Sequence, residues 1–293
     1  MTVVVGYRAD KVGLSGLYLA VGIARTLQTS LMVATIVPRG WPTPSLARVD
    51  AEYEYWAAHL ADNSAHEASK YLTPLADDLE VVYCHRAHRS VPGGLAEVVE
   101  EVGAEMLVLG SLPSSGRVHM VVGSTADSLL HSSPVPVAIS SPGYLSRTGK
   151  ITRLTCAYSG VAQSLDVVRR CAEYAERMQV PMRVMTFAVR GRTMYPPDVG
   201  LDAEDTILEV WAEQARNILK SLKTDGIVDD SVALRVITGH SWLEALHRAD
   251  WIDGEILMLG TSPGGDIRRV FLGMRSGQII RHSPVPVVVL PSQ

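Results

Sequence analysis

The chain has 293 residues, 47% of them hydrophobic and 20% charged, enough apolar material for one large or two ordinary cores and too much for a disordered chain. Its formal net charge of -4 supplies no basic face for nucleic acid, and no run of 18 apolar residues exists to span a membrane. Cys84, Cys156 and Cys171 form a sparse, odd set that suits a reduced, cytoplasmic protein, and no signal segment precedes the first apolar run.

Thr2 to Gly6 is such a run and reads as a buried strand, followed by a turn and a helix over Gly16 to Leu27 with Ser15 as its cap. Leu31 to Val37 is a second strand. Pro38, Pro42 and Pro44 exclude regular structure after it. Tyr53, Trp56, Leu60, Ser64, Ala68 and Tyr71 recur at helical spacing within Asp50 to Leu75. Leu79 to Cys84 is a third strand, Leu95 to Glu101 a helix, and Met106 to Leu109 a fourth strand. Helix from Gly123 to Leu130 and a strand from Ser133 to Ile139 complete the set.

The turn-rich segment 143–150 reads as a linker between a first domain, 1–142, and a second, 151–293. The order then repeats: strands at Ile151 to Tyr158 and Met182 to Val189 enclose a helix at Leu165 to Met178. A long helix over Glu204 to Leu222 carries Trp211, Ala215 and Ile218 at helical spacing. A strand from Val232 to Ile237, a helix from Leu243 to Trp251 and a strand from Ile256 to Leu259 lead to Ser283 to Leu290, the counterpart of Ser133 to Ile139. Tyr7 matches Tyr158 at an offset of 151, which the spacing predicts to become 150 from the second helix onward. Strands alternating with helices predict, in each domain, a five-stranded, mostly parallel sheet with helices on both faces, ligands binding beyond the carboxyl ends of its strands.

One loop stands out. After Leu109 the chain reads Gly110, Ser111, Leu112, Pro113, Ser114, Ser115, Gly116, Arg117, and reaches Gly123, Ser124 and Thr125 at a helix start. Amides and hydroxyls in that arrangement, with a helix N-terminus beyond, can hold an anion. In the second copy Gly260, Pro263 and Gly273 keep the frame, but Met274 and Arg275 replace Ser124 and Thr125, and Asp266 opposes phosphate. A Rossmann fingerprint and a Walker lysine are both missing, which disfavours dehydrogenases and P-loop enzymes.

The duplicated strand order, the Gly110-x-x-Pro113-x9-Gly123-Ser124 frame and the Ser133-Pro-Val-Pro-Val tail resemble the universal stress protein family in its tandem form. The resemblance covers nearly the whole chain and implies an adenine-nucleotide α-hydrolase-like, flavodoxin-like architecture. It further implies a stress-response sensor or regulator that binds ATP or AMP in the first domain, with Mg2+ if the ligand is a triphosphate. Gly110, Ser111, Ser114, Ser115, Gly116, Arg117, Gly123, Ser124 and Thr125 are then the binding residues. The chain departs from the family where Arg8 and Ser159 stand in place of an adenine-recognising aspartate, and where Pro113 and Pro263 replace a glycine. A nucleotide-free scaffold is therefore the alternative, and a small-molecule hydrolase a third reading.

No nucleophile elbow, acid pair or poised base is present, so any ATP hydrolysis is expected to be weak and no catalytic residue is assigned. Cys84, His85 and His88 lack a second ligand pair, so no metal is assigned either. In relatives the last strands of two domains pair; here the two tails, Val135 to Ile139 and Val285 to Val289, are expected to pair internally as a pseudo-dimer. A homodimer and an unidentified protein partner are further expectations. Trp41, Trp56, Trp211 and Trp242 are expected to anchor cores or interfaces.

Overall fold

The computed structural model describes residues 1–9, 13–39, 47–111, 120–160, 164–189, 201–263, 270–271 and 274–291. The first half runs β1 (Thr2–Gly6), α1 (Ser15–Leu27), β2 (Ser30–Pro38), α2 (Ala47–Leu72), β3 (Val81–His88), α3 (Val91–Glu101), β4 (Met106–Leu109), α4 (Ser124–Ser132) and β5 (Val137–Ile139). The second runs β6 (Arg153–Ala157), α5 (Leu165–Met178), β7 (Met182–Val189), α6 (Leu201–Thr224), β8 (Ala233–Gly239), α7 (Trp242–His247) and β9 (Glu255–Gly260). A two-stranded hairpin follows, β10 (Ser262–Pro263) with β11 (Val270–Phe271), then α8 (Met274–His282) and β12 (Val287–Leu290). No described helix is long and apolar enough to cross a membrane.

Ten strands form one sheet in the order β3-β2-β1-β4-β5-β12-β9-β6-β7-β8. Every neighbouring pair is parallel except the central one, where β12 runs antiparallel to β5 with Val287 opposite Ile139 and Val289 opposite Val137. The tails thus close the sheet across an approximate two-fold. Val137, Ile139, Val287 and Val289 are all at most 2% exposed, and burying each contributes roughly 1.5–3 kcal/mol. That is why strands this short can hold the two halves.

The strands are apolar throughout because both faces are covered. Alternation along β1 sends Val3 and Val5 to one core, with Leu17, Leu72, Cys171 and Leu222 of α1, α2, α5 and α6, and Val4 to the other. That second core holds Leu95, Leu129, Leu246 and Ile280 of α3, α4, α7 and α8. Both cores run across the domain boundary. Cys156 and Cys171 fill the first as small apolar residues, and burial raises the Cys171 thiol further.

The repeats correspond in detail. Tyr7 and Tyr158 each donate a backbone N–H across to the next strand (Ala34 O at 3.0 Å, Met185 O at 2.8 Å), and each carbonyl accepts a threonine hydroxyl from Thr35 or Thr186. Gln28 and Gln179 end α1 and α5 in the same left-handed conformation. Ser90 and Ser241 cap α3 and α7. The offset therefore stays at 151 through Ser241, not only to the second helix. It becomes 150 between α3 and β4, where α7 ends early at His247 and Asp250 turns through a positive φ of 46°.

Other expectations need correction. Ser15 is the first residue of α1 and accepts the Ser140 hydroxyl at 2.9 Å; it does not cap the helix. β3 continues past Cys84 to His88 because it pairs with β2 as far as Pro38. β5 starts only at Val137, since Ser133 turns back to bond Val135. On α2 the buried line is Ala61, Ser64, Ala68 and Leu72, while Trp56 (48% exposed) and Tyr71 face outward; Trp211 of α6 (47%) does the same. Tryptophan at helical spacing mimics a core stripe when only one small residue per turn is needed against the sheet. Trp41, in the proline-rich segment, lies outside the described residues.

Candidate functional site

The strand order reverses direction between β1 and β4, the place where an open parallel sheet leaves a crevice beyond its carboxyl ends. A cleft of about 390 Å³ lies there. Gly6, Tyr7 and Arg8 border it from the end of β1, Ala34 and Ile36 from β2, and Leu109 and Gly110 from the end of β4. Val91 and Leu95 of α3 form one wall, and Gly123, Ser124, Thr125 and Ala126 form the other.

Each wall has a local cause. Ser90 caps α3 by accepting the Gly93 N–H, which fixes Val91 and Leu95 over the strand ends. A Cβ on Gly6 would stand 3.0 Å from Leu95 Cδ1, so the floor is at contact distance already. A Cβ on Gly16 would lie 2.9 Å from the Gly110 nitrogen; glycine lets the start of α1 sit directly on the loop backbone. Gly123 is the N-cap of α4 in extended conformation and has no side chain to occupy the helix's first amides. Those N–H groups lack partners within the helix, so they and the Ser124 and Thr125 hydroxyls offer donors with favourable partial charge.

Hydrogen-bonding capacity in the cleft is weighted to donors. Arg8 brings a fixed positive charge, and no carboxylate occurs among the described lining residues. The floor of Gly6, Ala34, Ile36, Leu95 and Leu109 is apolar. Tyr7 belongs to the neighbouring core, where burial, with help from Glu67 and Tyr71, pushes its hydroxyl above the usual phenol range. The arrangement can receive an anionic group on α4 and a flat or apolar group on the floor.

Of the residues expected from sequence, Gly110, Gly123, Ser124 and Thr125 come together here. Ser111 sits behind them, 3% exposed, its N–H donating to Ser140 Oγ at 3.1 Å and its own hydroxyl without a partner among the described residues. Ser114, Ser115, Gly116 and Arg117, with Pro113, lie outside the described residues. Gly6, Tyr7, Ala34, Ile36, Val91 and Leu95 were not foreseen as lining.

A signal for them exists in the repeats themselves. At the matching positions of the second half, Ala34 is replaced by Met185, Ile36 by Phe187, Val91 by Trp242 and Gly16 by Val167. Met185 is fully buried, Phe187 and Trp242 pack ring to ring at 6.1 Å, and Val167 reaches Gly260 so closely that a Cβ there would be 2.2 Å from it. Four size differences between paired positions mark one place in the fold. The stretch of the second loop that carries Asp266 and Gly273 lies outside the described residues.

The remaining sequence candidates do not assemble into a site. Strand alternation separates His85 from Cys84 and His88, and the His88 ring is held by Ser90 and, at 3.5 Å, by Glu97. Among the described residues no cluster of three metal-ligating side chains occurs.

The model of the universal stress protein family matches residues 1–141 and again 150–291. A universal stress protein of Mycobacterium tuberculosis is 64% identical over 291 residues, covering 99% of this chain and 100% of that protein, and one of Mycobacterium bovis is equally similar. Among solved structures, a functionally unknown protein from Pseudomonas aeruginosa covers 99% of this chain and 92% of its own, with 13% identity and a TM-score of 0.61. A universal stress protein from Archaeoglobus fulgidus gives 0.59 at 15% identity, with 100% and 98% covered. At such identities these structures speak to the fold alone.

Proposed function

The chain belongs to the universal stress protein family, and from that premise we propose that it is a cytoplasmic stress-response regulator whose first domain binds ATP or AMP while its second serves as a nucleotide-free scaffold. The observation that carries the reading is the 390 Å³ cleft at the switch point, open between an apolar floor and the N-terminus of α4. Phosphate would lie against the amides and hydroxyls of Gly123, Ser124 and Thr125, and the purine against Ala34, Ile36 and Leu95. Arg8 adds positive charge and supplies donors only. Were the ligand ATP, Mg2+ would have to come with its phosphates, since no described lining residue is a carboxylate that would hold the ion.

The scaffold reading for the second domain rests on a separate observation: Met185, Phe187, Trp242 and Val167 put bulk where the first domain has small residues. Turnover of bound ATP is expected to be weak, because no described lining residue is an acid or base able to orient water.

Titration with ATP, ADP and AMP during thermal melting tests the proposal. A ligand that binds only the folded chain adds about 2.7 kcal/mol at a hundred times its Kd. Gly123→Val should remove the shift and Gly273→Val should leave it. A wild-type melting curve unmoved by millimolar nucleotide overturns the proposal.

A further inference from the structure

Met120 closes the loop of the first domain, yet its partners are in the second. Its N–H donates to the Arg281 carbonyl in the last turn of α8 at 3.0 Å. Its side chain is 2% exposed and lies in the core shared with Ile279 and Ile280. The reverse contact is also made. Val270, at the repeat offset of 150 from Met120, belongs to β11, and β11 packs against α4. Each glycine loop therefore ends on the last helix of the other domain. The helix that receives the second domain's hairpin is the one whose first turn lines the cleft.

Resting on the nucleotide reading above, we infer that the second domain regulates the first: the β10–β11 hairpin on α4 and the Met120–α8 contact set the position of the α4 N-terminus, and so the affinity of the cleft. α4 has nine residues, two and a half turns, so its first amides and the flank that meets β11 belong to one short hydrogen-bonded rod. A phosphate that holds the first amides of α4 in place also holds the flank on which β11 rests. Met120, four residues before Ser124, ties the same helix start to α8. Coupling is reciprocal: whatever fixes the hairpin tightens the cleft, and a filled cleft steadies the hairpin and α8.

Hydrogen exchange on the full wild-type chain, with AMP and with ATP as probes, tests this without any substitution. Added nucleotide should slow exchange at Val270 and Phe271 and in the last turn of α8, as well as in α4. Two variants then measure the coupling: residues 262–271 replaced by a short Gly-Ser turn, and Met120→Ala, each checked for native circular dichroism and a cooperative melt. Each should raise the Kd for AMP about fivefold or more. Protection confined to the first domain, together with Kd values within about twofold of wild type in both variants, overturns the coupling while leaving the nucleotide site standing. No binding by the wild-type chain overturns both.

Discussion

The two halves share strand order, caps and backbone hydrogen bonds, yet they differ where a ligand would sit. The first half keeps Gly16, Ala34, Ile36 and Val91 around its crevice; the second carries Val167, Met185, Phe187 and Trp242. A second difference lies at the opposite ends of the strands. Glu105, just before β4, has a side chain 11% exposed and pairs at 2.6 Å with Arg177 of the other domain, which is 43% exposed. Its counterpart Glu255 opens β9 fully buried, 2.6 Å from Arg153 and 2.8 Å from Arg183, with the Thr155 hydroxyl donating to it. Arg183 also lies 5.0 Å over the Trp251 ring, and desolvation holds its guanidinium below the usual range despite Glu255. The first half has Val4 and Met32 where the second has Thr155 and Arg183. One fold thus tolerates both an open top over a partly exposed ion pair and a bulkier top over a buried ionic cluster, so the features that define the fold are not those that define the site.

The strongest way to break the comparison is at Glu255. Glu255→Ala strands two guanidinium groups, one of them buried, and should cost about 3–5 kcal/mol, read as a large fall in denaturant midpoint. Glu105→Ala should cost no more than about 1 kcal/mol. Equal losses would mean that burial does not separate the two acids.

Moving bulk from the second half to the first comes next. Gly16→Val meets the Gly110 backbone and should destabilise by about 1–3 kcal/mol through overpacking, with loss of the nucleotide-induced melting shift. Ala34→Met should lose that shift with less damage to the fold. A full shift in Ala34→Met would show that Met185 is not what separates the halves.

The smallest effect concerns the Glu105–Arg177 pair. The Arg177 guanidinium, with Tyr174 and the chain's own N-terminus, holds the Glu105 carboxyl below the usual carboxylate range. A lowered folded value means the stabilisation is present above the ordinary range and is lost as pH falls through the folded value. Acid titration of stability should therefore show a loss of a few tenths to about 1 kcal/mol, and Arg177→Gln should remove that component at every pH.

Much of this was legible in the chain. Apolar runs, helical spacing and the repeat located nearly every element, because a doubly covered parallel sheet demands continuous hydrophobic strands and the duplication supplied a check. Boundaries slipped where pairing, not composition, decides: β3 extends through Cys-His-Arg-Ala-His because Pro38 lies opposite His88. The helix at Ser124 and the glycines 110 and 123 were readable as a possible anion cradle from their spacing. The floor was not, since Ala34, Ile36 and Leu95 look like any core residues until the sheet order brings them under one crevice. The hairpin β10–β11 left no pattern, being two residues per strand.

The antiparallel contact of β5 and β12 has a consequence for dilution. Single-domain proteins that meet through such strands part when their concentration falls below the dissociation constant. Here the connection 143–150 keeps both partners in one chain and is itself pinned, Arg147 and Thr148 donating to Asp253 and the Gly149 carbonyl accepting from Arg25; even a flexible tether of that length would give an effective concentration on the order of millimolar. The paired sheet, and any signal passed across it, should therefore persist at any cellular abundance, and the melting temperature should not depend on protein concentration.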